Sequence, residues 1–126
     1  MIEGVTPSEL RCKNRYGEAL DALSRINEGD LEDGNKSSVY NIRGFCHLSL
    51  NNIGRAKECF EHALDLNPAS SQANAGLGEI YFLLRDYGTA RTMYERATQN
   101  NPLNELALYG LKKTKEALSI PEIVSL

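Results

Sequence analysis

Apolar residues recur at three- and four-residue spacing along most of this chain, and the runs are cut by polar turn signals. From Ser38 to Leu50, the apolar positions Tyr40, Phe45, Leu48 and Leu50 surround Gly44 with no proline inside, which predicts a helix. The segment SLNNIG then carries turn chemistry, with Asn52 as a candidate N-cap. Residues 53–66 predict a second helix, with Ala56, Phe60, Ala63 and Leu64 on one stripe. Asn67-Pro68 stops it, because a residue before proline is driven out of helical geometry.

The plan then repeats. Asp86 is the expected N-cap before Tyr87, and Asn101-Pro102 is the next stop. Placing Ile53 over Tyr87 superposes Ala56 on Ala90, Phe60 on Tyr94, Ala63 on Ala97 and Pro68 on Pro102. The same 34-residue shift brings Gly44 onto Gly78 and His47 onto Tyr81. A fixed period of this length marks a stacked-repeat fold, so two units are expected, 37–70 and 71–104. Each is a hairpin of antiparallel helices, with turns near Asn51-Asn52 and Arg85-Asp86 and second-helix stops near 66 and 99. The small residues suggest close approach, with Gly44 facing Ala56 and Gly78 facing Ala90 across each hairpin.

The phrase YGEAL at Tyr16 matches IGRAK at Ile53 and YGTAR at Tyr87. It is expected to open a second helix, after a short first helix from Pro7 to Arg15. Thr6-Pro7-Ser8-Glu9 has the form of a capping box for that first helix. Residues 7–36 are thus expected to be a degenerate N-terminal repeat whose acidic segment, NEGDLEDGNKSS, is an exposed loop. Residues 105–118 are expected to form a capping helix, with Ala107, Leu111, Thr114 and Leu118 along one face. Residues 119–126 form a tail that cannot stay helical past Pro121 and is expected to move freely.

Composition narrows the function classes. At 126 residues the chain is one domain's worth, and its net charge of −3 argues against a general nucleic-acid binder. No run approaches the roughly 18 apolar residues of a membrane span, and MIEGVTPSEL does not read as a signal peptide. Three cysteines, an odd number without framework spacing, suggest free thiols in a reducing, cytoplasmic setting.

Candidate chemistry is sparse. There is no phosphate-binding glycine loop, no nucleophile elbow and no acidic cluster before a helix that would cradle a metal, so an enzyme is not expected. Cys46-His47 and Cys59-x-x-His62 could be grouped as metal ligands. Packing is the stronger reading, with Cys46 a small core residue and His47 in an aromatic slot. No metal or cofactor is expected.

The period and the order glycine, aromatic, alanine, aromatic, alanine, proline resemble the tetratricopeptide repeat. Gly44, Ile53, Ala56, Phe60, Ala63 and Pro68 carry the resemblance in one unit. Leu77, Gly78, Tyr81, Tyr87, Ala90, Tyr94, Ala97 and Pro102 carry it in the next. Tyr40 and Asn74 stand where the family usually has tryptophan, Arg43 where it has leucine, and His47 where it has tyrosine. The resemblance implies an all-α, right-handed superhelical stack whose first helices line a concave groove.

By the same resemblance, ligand contacts would come from Ser38, Asn41, Phe45 and Leu48, from Gln72, Ala75, Glu79 and Phe82, and from Leu106, Tyr109 and Lys113. Asn41, Phe45, Glu79 and Tyr109 are expected on one solvent-open surface, with Glu79 favouring a basic group on a bound peptide. The lysine, asparagine and arginine set that clamps C-terminal carboxylates in some members is absent, and Glu79 would repel a carboxylate. The implied function is a non-enzymatic module that binds a peptide or protein segment. Two alternatives remain: an accessory domain of a larger enzyme such as a bacterial glycosyltransferase or methyltransferase, and a scaffold that assembles end to end as a homo-oligomer.

Overall fold

The computed structural model describes residues 7–119, with side chains from Arg15 onward. Six α-helices run in order: α1 (Pro7–Ser24), α2 (Asp33–Ser49), α3 (Ile53–Leu66), α4 (Ser71–Leu83), α5 (Tyr87–Asn100) and α6 (Glu105–Leu118). A 3-10 turn, Glu28–Asp30, lies between α1 and α2. There is no strand among the described residues, and the chain is an all-α solenoid of the kind the 34-residue period predicts. Pairs α2–α3 and α4–α5 are the two hairpins. Helices α2, α4 and α6 also touch in series, more than α3 and α5 touch each other, so the stack closes toward the α2–α4–α6 side.

Both hairpin turns fall where the sequence placed them. Asn51 and Arg85 take left-handed φ values of 64° and 63°. Asn52 N–H then donates to His47 O at 2.7 Å, and Asp86 N–H to Tyr81 O at 2.9 Å, which satisfies carbonyls at each helix end. The Asp86 carboxylate caps Thr89 N–H, as predicted, whereas Asn52 caps nothing and turns its amide toward His47 Nδ1. Arginine gains nothing from a left-handed conformation and carries its Cβ penalty. Arg85→Gly should therefore raise stability by about 0.5–1 kcal/mol, read as a higher melting temperature.

Two expectations at the N-terminal side are corrected. Helix α1 is one continuous helix and does not break before Tyr16. Gly17 sits in its interior with nothing within 4 Å, and one helical glycine costs only about 1 kcal/mol, too little to force a turn. The acidic segment is not an open loop throughout. Its first part forms the 3-10 turn, capped by Asn27, and α2 begins at Asp33, whose carboxylate suits a helix N-terminus. Thr6, the Cys12 thiol and residues 120–126 of the tail lie outside the described residues.

The core is built on rings threaded between glycines. Phe60 and Tyr94 are fully buried. A Cβ on Gly44 would lie 2.6 Å from Phe60 Cε1, and one on Gly78 would lie 2.8 Å from Tyr94 Cδ1. Gly76 and Gly110, on the following first helices, press against the same two rings. The predicted Gly44–Ala56 and Gly78–Ala90 facing is thus corrected. The glycines make room for a ring one helical turn beyond the alanine, and Ala56 and Ala90 are simply buried beside it. Each hairpin is fastened internally by a matching hydroxyl. Ser37 Oγ donates to Ala63 O at 3.0 Å, and Ser71 Oγ to Ala97 O at 2.6 Å.

Candidate functional site

The α2–α4–α6 face collects most of the predicted groove residues, but with unequal roles. Ser38 and Gln72 are exposed, and Tyr109 is 63 % exposed. Phe45 is half-buried, its ring edge-on to Phe60 with centroids 4.8 Å apart. Ile42 and Leu83 also stand exposed on α2 and α4.

Asn41 is not open to solvent. It is 4 % exposed, and its Nδ2 donates to Ser70 Oγ at 2.9 Å, while its buried Oδ1 finds no partner among the described residues. Ser70 is also the N-cap of α4 and accepts from Ala73 N–H. Asn41 therefore ties one repeat to the next rather than presenting its amide to a ligand.

Glu79 is not a free charge either. Because Tyr94 passes between Gly78 and Gly110, its hydroxyl emerges beside Glu79 and donates to Oε1. Lys113 Nζ donates to the same oxygen at 3.0 Å. The ammonium also lies 4.5 Å from the Phe82 ring centroid and 5.4 Å from that of Tyr109, within reach of both π faces. Burial and the Glu79 hydrogen bond push the Tyr94 hydroxyl far up, so it stays a donor. Glu79, Lys113, Phe82 and Tyr109 thus form one self-neutralised cluster. The expected attraction of Glu79 for a ligand's basic group is corrected, since Lys113 already fills that place.

A second polar network was missed by the sequence reading. Arg43 donates to Glu28 Oε1 at 2.8 Å and to Leu23 O at 3.0 Å, and the Tyr40 hydroxyl donates to both Glu28 oxygens. The family's usual leucine is replaced here by a cation that fastens the end of α1 and the 3-10 turn onto α2. The signal was the departure at Arg43 paired with an acidic stretch upstream. Hydrogen bonds from Arg43 and Tyr40 lower the Glu28 pKa. A depressed carboxylate adds stability above its unfolded pKa and loses it as pH falls through the folded value. Glu28→Gln should therefore lower stability at neutral pH and flatten the acid limb of a stability–pH profile, with the two chains converging at low pH.

The cysteine and histidine positions do not come together as a metal site. Cys46 is buried, Cys59 is half-buried, and burial raises both thiol pKa values. The His62 ring rests on Tyr40 at 4.1 Å between centroids. No group of three or more His, Cys, Asp or Glu able to hold a metal forms among the described residues. On the other side of the stack, an open depression is lined by Leu64, Pro68, Asn74, Arg96, Gln99 and Asn100, and it contains none of the predicted groove residues. No described helix is long and apolar enough to cross a membrane.

Comparison with known proteins agrees with this architecture. A tetratricopeptide repeat family model matches residues 47–105. The first tetratricopeptide domain of human RPAP3 superposes with a TM-score of 0.71 at 23 % identity, covering 88 % of this chain and 92 % of that one. The first such domain of Spaghetti (RPAP3), solved with the HSP90 peptide SRMEEVD, gives 0.71 at 23 % identity over 88 % and 95 %. In sequence, the chain is 20 % identical over 99 residues to Hsp70-Hsp90 organizing protein 2 of Arabidopsis thaliana, 79 % of this chain and 17 % of that protein. It is 30 % identical over 82 residues to Protein O-mannosyl-transferase F38B6.6 of Caenorhabditis elegans, 65 % of this chain and 12 % of that protein. The chain therefore spans only a small part of these curated relatives.

Proposed function

We infer that this chain, which belongs to the tetratricopeptide repeat family, is a non-enzymatic interaction module that takes a protein segment on its concave α2–α4–α6 face. The observation that carries this reading is the exposure of Ser38, Gln72, Leu83 and Tyr109 on the three helices of that face. Exposed apolar side chains interspersed with an amide suit a peptide that offers apolar side chains and a backbone to hydrogen-bond. Family likeness supports the mode, since a solved relative holds a chaperone peptide.

The preferred segment is apolar and uncharged at its centre. An acidic tail such as SRMEEVD needs a free cation, and on this face Lys113 is already held by Glu79 and two rings. The test begins with a pull-down using the chain as bait. The captured partner is then measured against the parent, Leu83→Ala, Tyr109→Ala and Glu61→Ala, the last on the exposed side of α3. The first two substitutions should weaken binding about tenfold and the third should leave it unchanged. Equal binding by all four would remove the site from this face.

A second reading is favoured by the O-mannosyl-transferase relative. The repeats would then serve as an accessory segment of a larger glycosyl-transferring protein. The surrounding coding sequence decides between the two.

A further inference from the structure

The 34-residue shift that relates the two hairpins brings Tyr40 on α2 onto Asn74 on α4, and His62 on α3 onto Arg96 on α5. In the first hairpin the Tyr40 ring packs on His62, with centroids 4.1 Å apart. The Arg43 guanidinium carbon lies 5.1 Å from the same ring, and the Tyr40 hydroxyl donates to Glu28. One tyrosine side chain thus bridges α3 and the 3-10 turn. In the second hairpin a short amide stands in place of the ring, and both Asn74 and Arg96 line an open depression. Its volume is about 370 Å³. That is at the small end of ligand-pocket sizes, roughly 300–1,000 Å³, and suits a single ring.

The walls of the depression differ in character. Leu64 and Pro68, at the end of α3, form its apolar side. Asn74, Arg96, Gln99 and Asn100 form its polar side, and they have bonding capacity to spare. Asn74 is 3 % exposed and is held in place by Nδ2, which donates to Ser70 O at 3.1 Å. No described residue donates to its Oδ1. Gln99 and Asn100 are exposed, and their side chains bond to no described residue. Arg96 is exposed and makes no ion pair among the described residues, since the neighbouring Glu95 is taken by Arg91 at 2.8 Å.

We propose that this depression takes a tyrosine side chain of a partner protein, in the way the first hairpin takes its own Tyr40. The incoming ring lies on Leu64 and Pro68, and the Arg96 guanidinium stacks on it where His62 packs on Tyr40. The amide oxygens of Asn74, Gln99 and Asn100 surround the phenol as acceptors, the part that Glu28 plays for Tyr40. The depression lies across the stack from the α2–α4–α6 face, so the proposal is independent of what that face binds.

Titration of the full chain with N-acetyltyrosinamide, followed by amide shifts in nitrogen–proton spectra, tests the idea. Saturable shifts should centre on Leu64, Asn74 and Arg96, with a Kd of about 1 mM or tighter. N-acetylphenylalaninamide, which lacks the hydroxyl, should bind about fivefold more weakly, and N-acetylleucinamide should not saturate. Arg96→Ala changes an exposed side chain and should weaken binding about fivefold. Asn74→Tyr should abolish binding, because the chain then supplies the ring itself, as α2 does. Should that variant fail to fold, Arg96→Ala still decides. No saturation by about 10 mM, shifts centred on the α2–α4–α6 face, or equal binding by the parent and Arg96→Ala would each overturn the proposal. So would binding of the leucine compound as tight as that of the tyrosine compound. Tighter binding of free para-cresol would also overturn it, by assigning the depression to a small phenol and not to a side chain.

Discussion

Phe60→Ala should cost about 3–5 kcal/mol of folding stability, a large part of the roughly 5–15 kcal/mol that holds a domain of this kind. The ring is fully buried, and it joins two repeats. It belongs to the cluster of Ala56, Ala63, Ala73, Leu77 and Ile80, takes the edge of Phe45, and is gripped by Gly44 and Gly76. Neither glycine has a side chain with which to close the gap, so the cavity cannot be filled by small rearrangements. Truncation therefore loosens the α2–α3 hairpin and its seat against α4 together. Urea unfolding, with the variant's slope compared with the parent's, measures the loss. Tyr94→Phe is the matched control in the next repeat, because it keeps the ring and removes only the hydroxyl donated to Glu79. It should cost about 1 kcal/mol. A Phe60→Ala loss as small as that of Tyr94→Phe would show that the glycine-lined ring is not the centre of the core.

The hairpins were legible because their signals are local. Period, N-caps and Asn-Pro stops lie within a few residues of the feature they set, and both turns appear at the predicted places. The candidate site was less legible because its chemistry is made between repeats. Asn41 looks like a groove amide until Ser70, 29 residues on, claims it. Glu79 looks like a free charge until Lys113, one full period later, neutralises it. The ring partners of the glycines follow the same rule. Gly76 and Gly110 stand one period apart, as Gly44 and Gly78 do, and that second pair was the unused signal. Helix α1 was misread for the opposite reason. A repeat phrase was taken to bring its turn with it, although residues 14 and 15 carry no breaker and remain helical.

Gly110→Ala should destabilise the fold by about 1–3 kcal/mol, against the ordinary trend for a helix interior. Replacing a helical glycine with alanine normally gains about 1 kcal/mol from backbone entropy. Here a Cβ would fall well inside contact distance of Tyr94 Cε1 and Cζ. The ring has little room to retreat, because Gly78 presses against it too and the hydroxyl is anchored on Glu79. Steric overlap in a fully buried site outweighs the propensity gain, so the sign reverses. Gly17→Ala on α1 supplies the contrast, since nothing lies within 4 Å of that position and the gain should be realised in full. A double-mutant cycle locates the cause. Tyr94→Leu alone loses stability, but Gly110→Ala added to it should cost less than in the parent, with a coupling of about 1 kcal/mol or more. Additive losses, or stabilisation by Gly110→Ala to the same degree as Gly17→Ala, would mean that the ring does not fill the space between Gly78 and Gly110.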